Sequence, residues 1–224
     1  MEFTAEQLVD NYNTLLSIID NNISEPRRSQ LKELYVKYSE RIMIMPASHK
    51  IEYHNAFPGG YVDHVIRVVN CSLQLNKVWN MMGNDASTYT TEELVFAALN
   101  HDLGKIGNEE HESYIPQTDQ WRRDKLNEVY KFNNQLEYMS VPDRSLYILS
   151  SNGISFSTNE MISIKLHDGL YDEANKSYLM SWNPESKPRS SISYILHQAD
   201  LMASRIEFER EWFPNKPLGR NHFD

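Results

Sequence analysis

Apolar residues recur along the chain at three- and four-residue steps, the period of helices that bury one face. Thr4 and Gln7 form a capping-box pair, and Leu8, Leu15, Ile18 and Ile19 follow at helical spacing. Ser24 and Pro26 mark a second start, with Leu31, Leu34, Tyr35, Tyr38 and Ile42 as its stripe. These two helices are expected to form an N-terminal antiparallel pair, residues 1–45, packed on the rest. Pro46 to Gly60 reads as a loop ending in Pro58-Gly59-Gly60. A long helix is predicted from about Tyr61 to Trp79, through Val62, Val65, Ile66, Val69 and Leu73.

Thr90 and Glu93 open another helix through Leu94, Ala97 and Ala98, which Gly104 stops. Trp121 to Val129 reads as helical. Pro142 starts a short helix that Asn152-Gly153 ends. Thr158 is expected to cap a helix through Ile162 and Leu166, broken at Gly169. Gly169 to Ser190 reads as an exposed excursion. The last helix runs from about Ser190 to Glu211, with Ile192, Ile195, Leu196, Ala199, Ala203 and Ile206 inward. Strand signals are almost absent; short pairings near Tyr114 or Tyr178 are unforced. The fold class is all-α, with a main domain over 46–211 and an extended tail over 212–224.

Charge narrows the partners. Lys and Arg number 22 against 31 Asp and Glu, a net charge of −9. Such a surface repels duplex DNA and anionic membranes, while a small basic pocket can still take a nucleotide. The single cysteine, Cys71, forms no internal disulfide and fits a reducing compartment. No stretch has the apolar length of a membrane span, and the N-terminus has no signal-peptide pattern. The expected location is the cytoplasm, bacterial or that of a host if phage-encoded. The oligomeric state is open, and a homo-oligomer is compatible with the pattern.

The chemistry centres on Ala97-Ala98-Leu99-Asn100-His101-Asp102-Leu103-Gly104-Lys105. An imidazole beside a carboxylate offers two ligands suited to Mn, Fe, Co, Ni, Zn or Mg. Neighbours on a helix point about a hundred degrees apart, so both reach one ion only at a distorted helix end, which Gly104 can supply. Taken alone, His-Asp is equally a solvated helix terminus. His64 opens an amphipathic helix and either reaches an interior site or is a core histidine. Asp200 shares an inward face with Leu196 and Ala203, so a metal or an arginine must compensate its charge. His167 stands at another helix end, as a ligand to a second metal, a phosphate contact or an exposed terminus.

The order His64, His101-Asp102, Asp200 across three helices resembles the HD superfamily of phosphohydrolases over roughly Tyr53 to Glu207. The tract His-Asp-Leu-Gly-Lys at 101–105 carries most of the likeness. The glycine pair before His64 and Ala-Asp-Leu-Met-Ala-Ser around Asp200 resemble a bacterial and phage branch acting on nucleotides or nucleic-acid ends. The resemblance implies an HD-type helical bundle, with a divalent ion held by His64, His101, Asp102 and Asp200. Related two-metal proteins carry a further histidine where Val141 stands here, before Pro142-Asp143-Arg144-Ser145. One tightly held ion is therefore expected, although His167 is retained.

The implied activity is hydrolysis of a phosphate ester or anhydride, with a nucleoside monophosphate or (deoxy)nucleoside triphosphate as the leading substrate. Asp102 would orient the nucleophile, and Lys105 would neutralise phosphate charge. His54 and His111 are candidate general acids, since histidine titrates near neutrality. Arg122, Arg123 and Lys131 belong to the densest basic cluster and are either phosphate contacts or a solvated face. Trp121, Tyr130 and Phe132 lie among them and either stack on a base or pack. The rival readings are a silent nucleotide sensor, a nuclease on nucleic-acid ends, a mixed-valence iron oxygenase, and a purely structural helical protein.

Overall fold

The computed structural model describes residues 3–215, with the side chains of 211–215 left aside. Among the described residues the fold is all-α, with one short two-stranded sheet. Helix α1 (Ala5–Asn22) opens with the Thr4–Gln7 capping box. Helix α2 (Arg27–Lys37) begins after Pro26, which makes no side-chain cap. The chain then bends at Tyr38 into α3 (Ser39–Ile44). The expected N-terminal pair is thus three helices, and the stripe assigned to its second member is split between α2 and α3.

Helix α4 (Gly60–Met81) is the central element, and α5 (Thr91–Asn100) carries the Thr90–Glu93 capping box. Helix α6 (Gln120–Leu126) ends at Asn127, where φ is 51°, so it is shorter than the expected 121–129. Helix α7 (Val141–Ser151) has Pro142 in its first turn and Asn152 as its C-cap. Helix α8 (Thr158–Leu166) is capped by Ser157 with Glu160, not by Thr158, which is its first residue. The excursion after it is a series of single turns, among them α9 (Lys176–Leu179), so the Tyr178 region is helical and forms no strand. Helix α10 (Ile192–Asn215) passes through Pro214, so the expected tail is helical to Asn215, and 216–224 lie outside the described residues. Strands β1 (Tyr114–Pro116) and β2 (Tyr130–Phe132) pair antiparallel, Tyr114 opposite Phe132.

The larger core cluster runs through the main bundle and the N-terminal helices together, and a smaller one gathers Tyr89, Leu94, Ile192 and Ile195. Leu15, Ile19, Leu31 and Tyr35 are buried in the same cluster as Val65, Phe96, Leu99 and Leu196. Burial of this apolar surface is the main stabilising term, at about 25 cal/mol per Å². Polar contacts fix the orientation: Tyr12 donates to the Tyr35 carbonyl at 3.0 Å, and Tyr35 donates to the Leu99 carbonyl at 3.0 Å. The N-terminal helices therefore brace the last turn of α5, immediately before His101. Arg27 joins α2 to α8 through Glu160 at 2.7 Å and lies 4.5 Å over the Phe96 ring.

Candidate metal centre

Three segments bring the chemistry together. The turn before α4 needs both of its glycines: Gly59 has φ +84°, and a Cβ on Gly60 would lie 2.0 Å from the Asn55 carbonyl oxygen. This tight entry sets His64 one turn into α4, fully buried. Helix α5 stops at Asn100, and the chain tightens into a 3-10 turn over Leu103–Ile106. His101 keeps helical angles while Asp102 departs from them, at φ −105° and ψ 9°, so the two neighbours reach the same point. Gly104 serves by closeness and not by unusual torsion. A Cβ there would meet the Val141 carbonyl at 2.2 Å, and Ser145 accepts from the Gly104 amide at 2.7 Å. Ser145 in turn donates to the His101 carbonyl at 3.1 Å. The third segment is α10, which presents Asp200.

The donor atoms converge. His64 Nε2 lies 3.4 Å from His101 Nε2, 3.1 Å from Asp200 Oδ1 and 3.7 Å from Asp102 Oδ2. His101 Nε2 lies 3.5 Å from Asp102 Oδ2 and 3.9 Å from Asp200 Oδ1. Metal–ligand bonds of about 2.0–2.2 Å place neighbouring donors roughly 3.0–3.6 Å apart, so the set is sized for an ion. Asp200 faces the imidazoles of His64 and His101.

Hydrogen bonds at the far side of each ring decide the tautomers. His101 Nδ1 is 2.7 Å from the Ala98 carbonyl, His167 Nδ1 is 2.8 Å from the Ile164 carbonyl, and His64 Nδ1 is 3.0 Å from Glu207. A carbonyl or carboxylate can only accept, so Nδ1 carries a proton and Nε2 is the nitrogen whose lone pair a cation can take in place of a proton. Those lone pairs, with two carboxylates, point into one buried space. The donor set fits a divalent cation, and the buried His/Asp cluster can hold one.

Electrostatics at this point call for positive charge. Burial pulls His64 down, but the charge of Glu207 and the hydrogen bond to Asp200 push it up to about 10. Burial likewise opposes His167, which Asp168 and Asp102 push up to about 9. Burial raises Asp102 and Asp200, yet Lys105 and His101 hold Asp102, and His64 holds Asp200, well below the carboxylate range.

The other expected residues divide. His167 joins the centre, its Nε2 3.6 Å from Asp102 Oδ1, and with Asp168 and Asp200 it forms a further donor group. Lys105 is buried and pairs with Asp102. The His54 ring lies tilted against His64, ring centroids 4.6 Å apart and planes at 37°, and its Nε2 is buried without a partner. Burial and the charges of His64 and Lys105 depress it well below 6.5, so its ring is neutral. His111 is not brought to the cluster; its Nε2 lies 3.9 Å from Glu110. Arg122 and Lys131 line a separate recess beside His49, with Arg122 on Glu128 at 3.0 Å, and Arg123 donates to the Gln117 carbonyl at 3.3 Å.

Two participants escaped the sequence reading. Glu207 is buried between His64 and Arg67, whose Nε donates to it at 3.0 Å. Its position seven residues after Asp200 on one helix, two turns along the same face, was the available signal. Asp168 was passed over beside His167, in the same His-Asp order as 101–102. Among the described residues, no helix is long and apolar enough to cross a membrane.

Compared with known families, the chain matches TraI_2, described as a putative helicase, over residues 3–178. No curated protein and no solved structure matches it.

Proposed function

The chain belongs to the TraI_2 family of putative helicases, and within that family we propose that it is a divalent-metal-dependent phosphohydrolase of the HD type acting on a nucleotide. The observation that carries the reading is the approach of the His64 and His101 Nε2 atoms to one another and to Asp102 and Asp200, all within 3.1–3.9 Å. These four residues would hold the cation. When bound, it would supply Lewis-acid activation of water and charge neutralisation at phosphoryl oxygens.

The chain's own residues do the remaining work. Lys105 and His167 sit on opposite oxygens of Asp102, Lys105 on Oδ2 and His167 on Oδ1, and fix its orientation. His54, neutral because burial and the charges of His64 and Lys105 hold it well below 6.5, lines the recess beside Asp200. His167 and Asp168 offer a further place for charge next to the phosphoryl group.

The chain's Gly-Lys pair, Gly104-Lys105, precedes Ile106 in a buried 3-10 turn and lacks the hydroxyl residue of a phosphate-cradling loop. The family description does favour one second reading, that the phosphoryl group belongs to a nucleic-acid end.

The test is a phosphate-release screen over nucleoside mono- and triphosphates with Mn, Fe, Co, Ni, Zn and Mg, alongside metal analysis of the protein as purified. His101→Ala and Asp102→Ala should lose both bound metal and turnover. Wild-type turnover that persists in both variants refutes the assignment.

A further inference from the structure

One recess opens onto the centre. It has a volume of 630 Å³, and Asp200, Asp168 and His54 line it together with Tyr53, Tyr171 and Arg205. Tyr53 directly precedes His54, and Tyr171 closes the 3-10 turn that follows Asp168. Tyr53 is half exposed, at 48%, and Tyr171 is largely in water, at 84%. Neither belongs to the core.

Tyr53 is nevertheless held in place. The His49 ring meets it edge-on, with centroids 5.3 Å apart and planes at 81°. Lys50 Nζ lies 5.8 Å from its centroid, and its amide donates to the Lys50 carbonyl at 3.1 Å. An exposed ring already fixed in orientation loses little freedom when a ligand arrives.

We propose that this recess is a nucleobase site, in which Tyr53 and Tyr171 offer stacking faces to the base of a substrate whose phosphoryl group lies at the Asp200 end. The placement of the phosphoryl group rests on the hydrolase reading; the stacking does not. Every base has a π face, so the site selects for a base without choosing which one. A free mononucleotide and the last nucleotide of a single strand share this chemistry. The volume lies within the range of about 300–1,000 Å³ typical of small-molecule sites, and the net charge of −9 opposes a long polyanion, so the mononucleotide is the assigned ligand.

The experiment is calorimetric titration of the full chain, loaded with Mn, by thymidine monophosphate and by base-free ribose 5-phosphate. Wild type is compared with Tyr53→Ala, Tyr171→Ala and the two Tyr→Phe variants. Stacking is expected to make the nucleotide bind about tenfold tighter than the sugar phosphate. Each alanine variant should lose most of that advantage and leave the sugar phosphate unchanged, while phenylalanine retains it. Equal wild-type affinities, or alanine variants that weaken both ligands alike or neither, overturn the base site. A tetranucleotide bound more than about tenfold tighter than the monophosphate overturns the mononucleotide assignment. Base-dependent binding without phosphate release defeats the hydrolase reading and leaves the base site standing.

Discussion

Glu207 of α10 accepts a hydrogen bond from His64 Nδ1 of α4 at 3.0 Å, with both side chains fully buried. The carboxylate fixes the proton on the far nitrogen and aims Nε2 at Asp200. Arg67 completes the pairing of Glu207 at 3.0 Å and reaches Asp63 at 3.1 Å, which in turn accepts from Asn55 at 2.9 Å. Outer partners of metal-ligating histidines typically contribute about 10–100-fold to affinity. Glu207→Gln is expected to weaken cation binding by about tenfold at the low end of that range while the fold is kept. Glu207→Ala, which also strands Arg67, should cost stability as well. Metal titration with circular dichroism separates the two effects, and unchanged affinity in Glu207→Gln refutes the positioning role.

Proton and cation compete for the same lone pairs. His64 is raised to about 10 and His167 to about 9 from an ordinary value of 6.5. A raised native-state pKa means that the folded chain holds those protons more tightly than the unfolded one. Their stabilisation is complete below about pH 6.5 and is lost as pH rises through about 9 and then about 10. The metal-free protein should therefore melt at progressively lower temperature across that window, and cation affinity should strengthen over it. Thermal denaturation in chelator from pH 6 to pH 10 checks this; a flat profile contradicts it.

Gly104→Ala should damage the centre without touching a ligand. The added methyl meets the Val141 carbonyl, which must move, and Ser145 on the same helix supports the His101 carbonyl. Overpacking of this kind costs about 1–3 kcal/mol. A melting temperature lower by several degrees and weakened metal binding are expected together. Retention of both would show that α7 yields more easily than its packing implies.

Tyr35→Phe tests the brace from the N-terminal helices. The variant keeps the ring but leaves the Leu99 carbonyl without its donor, at about 1–3 kcal/mol. For a chain of this size each kcal/mol lowers the melting temperature by about 2–4 °C. Denaturation curves read this directly, and a wild-type midpoint would exclude the brace.

Much of the helical frame was legible in the chain because helices are local. Caps such as Thr4–Gln7 and Thr90–Glu93, and stripes at three- and four-residue spacing, depend on neighbours in sequence. The same locality failed where two cues compete. Ser157 and Thr158 are both good caps, and only the position of Glu160 relative to each separates them. The bend at Tyr38 interrupts an unbroken apolar stripe, because α3 must turn to pack against α4.

The candidate ligands were legible as residue types, since an acid on an apolar helix face demands compensation. Sequence could not say whether an ion, an arginine or a proton provides it. Tertiary structure decided that His64, His101 and Asp200, distant along the chain, bring their donors within 4.8 Å of one another. It also decided that His111 stays away and that Glu207 stands behind His64. Side-chain convergence depends on how whole helices cross, and crossing is set by the summed packing of the core, which no short stretch of sequence contains.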